Sequence, residues 1–253
     1  MPLRSEGRQV SFDQITVELQ ESMGNDRSIA ECAWTSSTTH GGILKKTDAQ
    51  VSDLVKRLAT DGHATPFESV VLRFWMRIPI FVDRQHMTHR IASHNGMSGR
   101  YRTMPTDYYT MPEDVAAILC DKLGGVAYDE LFGELDQPGS RIIADYATAC
   151  DTAMEMYEIS MLKLKFAKAA GTLTDKEYKR VREILRGMCP QAGMTERVTT
   201  MNLRAFANYQ QLRNSEHAQD EIRLLAQLML AEVKASNPCP VAIEWLEQNG
   251  WKL

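Results

Sequence analysis

The sequence lacks the motifs of the most common nucleotide-binding and hydrolytic sites. Neither GxGxxG nor the P-loop pattern occurs, so neither a dinucleotide-binding βαβ unit nor a P-loop is indicated. HExxH, GxSxG and carboxylate-rich metal loops are also absent. The sequence therefore predicts no metal site and gives no support to a nucleophilic serine.

Cysteine, positive charge and long apolar runs are also scarce. The five cysteines are scattered and none forms a CxxC pair, which is typical of a reducing compartment. A formal net charge of -4 indicates no general basic surface for nucleic acid. No run approaches the roughly 20 apolar residues of a membrane span, and residues 1–14 contain no apolar core of a secretory signal. These absences predict a cytoplasmic protein that binds neither nucleic acid nor membrane.

The first third of the chain is predicted to contain most of the strands. Residues 15–23 alternate apolar and polar side chains, as a strand with one buried face does. Residues 49–63 have apolar residues at helical spacing (Val51, Leu54, Val55 and Leu58) and end in Asp-Gly. Residues 69–85 are rich in β-branched and aromatic side chains and predict a pair of strands broken near Pro79.

The rest of the chain is predicted to be mainly helical. Residues 112–170 follow a helical pattern with breaks at 123–125 and 136–140, and Thr174 with Glu177 predicts a capping box. Residues 200–214 predict an amphipathic helix with Leu203, Phe206 and Leu212 near one side. A second helix over 215–235 is separated from it by a cap at Asn214 and Ser215, and 239–251 form a closing helix. Strands followed by helices predict an α+β fold.

A short segment at residues 88–102 concentrates hydrogen-bond donors around glycines. Within it, Arg90 and Arg100 flank residues 93–99, and an arginine fork binds phosphate through two parallel hydrogen bonds. Ser98 and Gly99 add a hydroxyl and accessible backbone N–H groups. The alternative interpretation is a solvated loop with ordinary surface charges.

A second polar cluster, at residues 202–217, favours the binding interpretation. Arg204 and Asn208 are four residues apart and share one helix face. Arg213 comes just before the predicted end of the helix, where its side chain can reach a cleft. The alternative is that Arg204 and Arg213 are simply exposed.

The first segment also resembles the RHRxxSxNxxSxRY signature of the flavin-dependent thymidylate synthases. The residues that fit in register are His89, Arg90, Ser93, Asn95, Ser98, Arg100 and Tyr101, preceded by Arg84 and Gln85. Residues 61–85 are similar to the family's GHxSPFE stretch and the strands after it, and 202–222 resemble its flavin-binding helix and following turn. The resemblance extends from about residue 13 to the end and is weakest over about 102–175.

The resemblance implies one α+β domain over residues 1–253, with a mixed, largely antiparallel sheet flanked by helices and an enlarged helical middle segment at about 102–175. It implies a homotetramer with active sites between subunits. Members of this family methylate dUMP at C5 to dTMP, so the resemblance implies the same reaction here. Methylenetetrahydrofolate is then the one-carbon donor, and FAD reduced by NADPH is the hydride source. The cofactor performs the chemistry, and the protein binds, orients and polarises.

Residue roles follow from the same resemblance. Arg213 matches the catalytic arginine, which contacts the pyrimidine and stabilises its electron-rich form. The other positions that bind the nucleotide, chiefly its phosphate, correspond to Gln85, Ser98, Gly99, Arg100 and Arg186. The positions around FAD correspond to His63, Thr65, His89, Arg90, Asn95, Asn202, Arg204, Asn208 and His217. Glu68, in the PFE element, is predicted to have a structural role.

The sequence departs from the signature at two positions expected in the nucleotide pocket. Thr88 replaces the first arginine of RHR, and Gly96 replaces the acidic residue after the asparagine. His86 and Met87 also replace residues that are typically aromatic. Three hypotheses remain open: tolerated drift with dUMP methylation kept, a variant methylase or hydroxymethylase acting on dUMP or dCMP, and a non-catalytic nucleotide-binding protein.

Overall fold

The computed structural model describes residues 9–10, 15–123 and 138–253. They separate into two compact units, each assembled from several chain segments. The first unit comprises the described residues up to Ile15 together with Ile78–Phe81 and Met97–Thr195. The second comprises Thr16–Arg77, Val82–Gly96 and Glu196–Leu253. The single domain implied by the resemblance stays a prediction.

Strands and helices are mixed along the chain without a regular βαβ alternation, which indicates an α+β fold. The strands are β1 (Gln9–Val10), β2 (Thr16–Met23), β3 (Val71–Pro79), β4 (Ser93–Gly96), β5 (Tyr108–Tyr109) and β6 (Met194–Asn202). The helices are α1 (Asp26–Trp34), α2 (His40–Ile43), α3 (Asp48–Thr60), α4 (Ile80–His86), α5 (Glu113–Leu123), α6 (Pro138–Ala169), α7 (Asp175–Leu185), α8 (Leu203–Arg213), α9 (Asp220–Ser236) and α10 (Pro240–Gln248). No helix in these described ranges is long and apolar enough to cross a membrane.

A four-stranded sheet of order β2-β3-β6-β4 supports the second unit. β2 pairs antiparallel with β3, and β4 pairs antiparallel with β6 from Ser93↔Thr200 to Gly96↔Arg197. Alternate residues of β3 are fully buried, and the Phe74 ring stacks on Phe206 of α8 at 5.9 Å. α9 packs against β2. The mixed, largely antiparallel sheet with flanking helices is therefore confirmed.

The first unit is mainly helical. α6 packs against both α5 and α7. Tyr157, Met161 and Leu164 recur at helical spacing along α6 and form one buried cluster. β1 and β5 add a short parallel pair. The described part of residues 112–170 is helical as predicted, whereas the predicted break at 123–125 falls mostly outside the described residues. The break at 136–140 is only partly described, because α6 already begins at Pro138.

Local sequence signals correctly predicted two helices. All four predicted apolar residues of α3 are buried. The Thr174 hydroxyl accepts from the Glu177 N–H at 3.3 Å, and the Glu177 carboxylate accepts from the Thr174 N–H at 2.8 Å. This reciprocal pair is the predicted capping box.

Three local predictions were wrong. Residues 80–86 form helix α4 rather than a second strand, with Val82, Asp83 and His86 buried at helical spacing. Their packing on the sheet overrides the β propensity of this apolar run. Leu212 is 52% exposed and lies away from the buried side of α8. α9 begins at Asp220, so Ser215 does not cap it, although Asn214 does end α8.

Candidate functional site

A cleft of about 560 Å³ lies in the second unit beside α8. Its size falls within the range of small-molecule sites, roughly 300–1,000 Å³. The residues that line it come from the turn before β3, the loop after α4, the end of β6, helix α8 and the C-terminus. They are Glu68, Thr88, His89, Arg90, Ile91, Met201, Arg204, Ala205, Asn208, Gln211, Leu212, Arg213, Trp251 and Leu253.

Helix α8 presents polar residues to this cleft and apolar residues to the core. Arg204 and Asn208 both line the cleft, which confirms the predicted shared face. Leu203, Phe206 and Tyr209 are fully buried on the other side of the helix. The apolar contacts hold the helix in place, so its polar face is presented on a rigid support.

Arg213 ends α8 and is held by two neutral acceptors. Its Nε donates to Nε2 of His89 at 2.8 Å, and its Nη2 donates to the Thr88 hydroxyl at 3.4 Å. The Thr88 hydroxyl in turn donates to the Gln85 carbonyl at 2.7 Å. Arg213 thus reaches the cleft from the helix end, as predicted.

His89 is neutral at physiological pH. Burial, the Arg213 cation and His94 together lower its pKa to about 4. Because its Nε2 accepts from Arg213, the single proton of the neutral ring must be on Nδ1. The ring also meets Tyr209 edge-on, with centroids 4.6 Å apart. Neutral His89 orients the guanidinium without adding positive charge.

Glu68 forms an ion pair with Arg204 at one side of the cleft. The Nη1 to Oε1 distance is 2.7 Å, and both side chains are about half exposed. The predicted structural role of Glu68 stays a prediction, but its position in the cleft lining was not predicted. The PFE motif predicts contacts within the fold, and nothing in it indicates that the Glu68 carboxylate lines the cleft.

A buried ion pair lies next to Gly96. Arg197 donates through Nη2 to Oδ2 of Asp83 at 2.7 Å and through Nε to the second carboxylate oxygen. Its Nη2 also lies 3.0 Å from the sulfur of Met87. A Cβ at Gly96 would lie 2.9 Å from Nη2 of Arg197, so a larger residue there would displace the buried guanidinium. Room for Arg197 is a physical reason for glycine at position 96.

Four of the predicted nucleotide-binding residues lie together in the first unit. Arg100 N–H donates to the Ser98 hydroxyl at 3.3 Å, and Arg100 Nε donates to Glu183 at 2.9 Å. A Cβ at Gly99 would lie 3.0 Å from Cδ of Arg186, so glycine lets this arginine approach the backbone. Sequence reasoning missed Arg182, whose Nε donates to the Gly99 carbonyl at 3.2 Å.

The cleft does not contain every predicted cofactor or substrate residue. His89, Arg90, Arg204, Asn208 and Arg213 line it, whereas His63, Thr65, Asn95, Asn202, His217 and Gln85 do not. The side-chain oxygen Oδ1 of Asn202 already has a partner, since it caps α8 by accepting from the Ala205 N–H at 2.8 Å. Gln85 belongs to the second unit.

The residues of the cleft fit a flavin dinucleotide in chemical terms. Arg90 and Arg204 supply positive charge and forked donors for a pyrophosphate. Asn208 offers an amide that can pair with a heterocycle edge, and Trp251 adds an aromatic surface. The combination of cations, side-chain amides and an apolar wall is suited to a large anionic heterocyclic ligand.

Fold and cleft together define an α+β protein with a cationic ligand-binding cleft. Residues 18–239 match the family model described as thymidylate synthase complementing protein. The flavin-dependent thymidylate synthase of Kosmotoga olearia is 32% identical over 229 residues, covering 90% of this chain and 88% of the relative. That of Pseudothermotoga lettingae is 31% identical over 234 residues, covering 92% and 90%.

A solved protein has a similar fold over nearly the whole length. The UMP/dUMP methylase PolB from Streptomyces cacaoi, bound with 5-Br dUMP, gives a TM-score of 0.69 at 24% identity, covering 96% of this chain and 98% of that one. Its structure bound with 5-Br UMP gives a TM-score of 0.67 at 26% identity, covering 96% and 97%. The chain described here belongs to the thymidylate synthase complementing protein family, together with the flavin-dependent thymidylate synthases.

Proposed function

We propose that this protein methylates dUMP at C5 to give dTMP. Methylenetetrahydrofolate is the one-carbon donor, and FAD reduced by NADPH is the hydride source. Family membership supports the reaction class. The observation that carries the proposal is the Arg213 guanidinium, held in a cleft by neutral His89 and Thr88.

In the proposed reaction, Arg213 contacts the pyrimidine. A fixed cation lowers the barrier when negative charge develops on the ring, because it needs no reorganisation at that moment. Its two acceptors are uncharged, so they orient the guanidinium without neutralising it. Gln85, Ser98, Gly99, Arg100 and Arg186 bind the nucleotide, chiefly its phosphate.

The cleft residues His89, Arg90, Arg204 and Asn208 hold the FAD in this proposal. Bound reduced flavin supplies the hydride and relays the one-carbon unit. The remaining predicted cofactor positions are His63, Thr65, Asn95, Asn202 and His217. They belong to the same proposal. The proposal also includes a homotetramer with active sites between subunits. Light scattering at several protein concentrations would test the tetramer.

A second candidate is a methylase or hydroxymethylase with a different pyrimidine nucleotide, such as UMP or dCMP. Thr88 and Gly96 favour it, because they replace a positive and a negative residue of the family signature. The similarity to PolB, whose structures hold analogues of dUMP and UMP, favours it as well. Both candidates use the same cleft and the same donor.

A product assay separates the two candidates. The protein is incubated with FAD, NADPH and methylenetetrahydrofolate, and dUMP, UMP and dCMP are offered in parallel with mass-spectrometric detection. A methyl group added to dUMP at the highest kcat/KM supports thymidylate synthesis. A preference for UMP or dCMP, or a hydroxymethyl product, supports the second candidate. No FAD binding and no product from any nucleotide would refute both.

A further inference from the structure

Beneath the loop that carries His89 lies a buried chain of hydrogen bonds. The Thr199 hydroxyl lies 2.9 Å from Nε2 of His86 and 3.1 Å from Nδ1 of His94. Nδ1 of His86 lies 3.1 Å from the Tyr209 hydroxyl. Nε2 of His94 lies 3.1 Å from the backbone carbonyl of His89. His86, Thr199 and Tyr209 are fully buried.

The proton positions in this chain can be assigned from one end. A carbonyl only accepts, so Nε2 of His94 carries a proton; with one proton on that ring, its Nδ1 accepts from the Thr199 hydroxyl. Thr199 has then used its proton, so Nε2–H of His86 donates to it. Nδ1 of His86 accepts from the Tyr209 hydroxyl. In this assignment every ring nitrogen and hydroxyl of the hydrogen-bond network has a partner, and all four side chains are uncharged.

Burial keeps His86 in this neutral form. Desolvation lowers its pKa well below the ordinary value. A proton on His94 or His89 would lower this pKa further, as the Arg197 and Arg213 cations already do. A buried network in which every member is paired holds a single geometry, since breaking one bond leaves an unsatisfied group.

This hydrogen-bond network connects the two ends of a partly exposed loop. His86 is the last residue of α4 and His94 lies in β4, so residues 87–92 connect the two. Within this loop Met87 is 41% exposed and Ile91 is 75% exposed, so its own packing constrains it little. One hydroxyl, that of Thr199 on β6, meets a residue at each end.

We propose that Thr199, His86 and His94 are positioning residues that fix the 87–92 loop so that neutral His89 accepts from Arg213. This inference rests on the proposed function, in which Arg213 acts on the nucleotide. None of the three residues lines the cleft; they act through His89, whose backbone carbonyl accepts from His94. The sequence signal for them is weak, because Thr199 lies 113 residues from His86 and 105 from His94.

The first test uses Thr199→Val, which keeps the branched shape and removes the hydroxyl. Thr199→Ser keeps the hydroxyl, and Thr200→Val is the matched control, because Thr200 points to the opposite face of β6. Thermal unfolding identifies any variant that is not folded. Histidine ¹⁵N NMR of the protein without nucleotide should show Nε2–H tautomers for His86 and His94 in the wild type at pH 8.

The same spectra report the position of His89. In Thr199→Val we expect its pKa to rise from about 4 towards the ordinary 6.5, because the ring is no longer held at Arg213. Thr199→Ser and Thr200→Val should keep the wild-type value. An Nδ1–H tautomer on His94, or an unchanged His89 pKa in Thr199→Val, would overturn the proposal. A serine variant that behaves like the valine variant would also overturn it.

Turnover provides the second readout. In Thr199→Val we expect kcat to fall about 10- to 100-fold while the nucleotide KM changes less than threefold, since the phosphate-binding residues are not altered. An unchanged kcat would contradict the inference. If the wild-type protein methylates no nucleotide but the His89 pKa still moves in Thr199→Val alone, the proposed function fails and the positioning of His89 by Thr199 stands.

Discussion

The ion pair between Asp83 and Arg197 should be one of the most sensitive positions of the second unit. Both side chains are only 9% exposed. Asp83→Ala would remove two carboxylate hydrogen bonds and leave the guanidinium facing the Met87 sulfur at 3.0 Å, which is a weak acceptor. Removing one partner of a buried pair costs about 3–5 kcal/mol. That is a large part of a domain stability of about 5–15 kcal/mol.

Thermal unfolding followed by circular dichroism measures this loss. At about 2–4 °C per kcal/mol for 150–250 residues, Asp83→Ala should lower the Tm by about 6–20 °C. Glu21→Ala is the matched control, because it breaks the Glu21–Arg73 pair, whose side chains are 72% and 47% exposed. We expect that control to change stability by less than about 1 kcal/mol.

A double variant separates charge burial from general damage. Asp83→Leu combined with Arg197→Met removes both charges and keeps the volume nearly constant, so it should recover most of the stability lost in Asp83→Ala. The reasoning is refuted if Asp83→Ala costs no more than the exposed control. It is also refuted if the double variant is as unstable as the single one.

Three further predictions concern Gly96, Arg100 and His89. Gly96→Ala should cost about 1–3 kcal/mol because its Cβ would meet the guanidinium of Arg197, and thermal unfolding should show a smaller loss in an Arg197→Met background; equal losses would contradict this. Arg100→Ala should raise the nucleotide Kd about 10- to 100-fold, since a charged hydrogen bond contributes about 1.5–3 kcal/mol, with little change in kcat; calorimetry showing an unchanged Kd would be the opposing result. The depressed pKa of His89 predicts that stability falls as pH drops from 6.5 to about 4, because the unfolded chain binds a proton there and the folded chain does not. The full shift corresponds to about 3 kcal/mol, which solvent screening of this half-buried ring reduces to roughly 1–2 kcal/mol. Urea unfolding should show a smaller fall in His89→Asn, where only the His89 part is lost and the lowered pKa of His86 still contributes; an equal fall would contradict this.

Elements with local signals were predicted well from sequence. The α3 helix follows from its apolar spacing, and the start of α7 follows from the capping box of Thr174 and Glu177. Arg204 and Asn208 were placed on one face by a spacing of four residues, and both line the cleft. Each of these conclusions depends on residues within one or two helical turns.

Features that depend on distant contacts were not predictable in the same way. The α4 segment has a strand-like composition, but it folds as a helix because its buried residues meet the sheet at helical spacing. Arg197 was not singled out, although its buried pair with Asp83 supplies a physical reason for Gly96. The Thr199 network joins residues more than 100 positions apart, and no local pattern indicates it.

The role of Arg213 is the central claim about the site. Arg213→Ala, measured in single-turnover reactions with dUMP, FAD, NADPH and methylenetetrahydrofolate, tests it most directly. Arg223→Ala is the matched control, because Arg223 lies on α9 and pairs with Asp220 outside the cleft lining. We expect Arg213→Ala to bind FAD like the wild type and to lose nearly all methyl transfer, while the control keeps it. Full methyl transfer by Arg213→Ala would contradict the account.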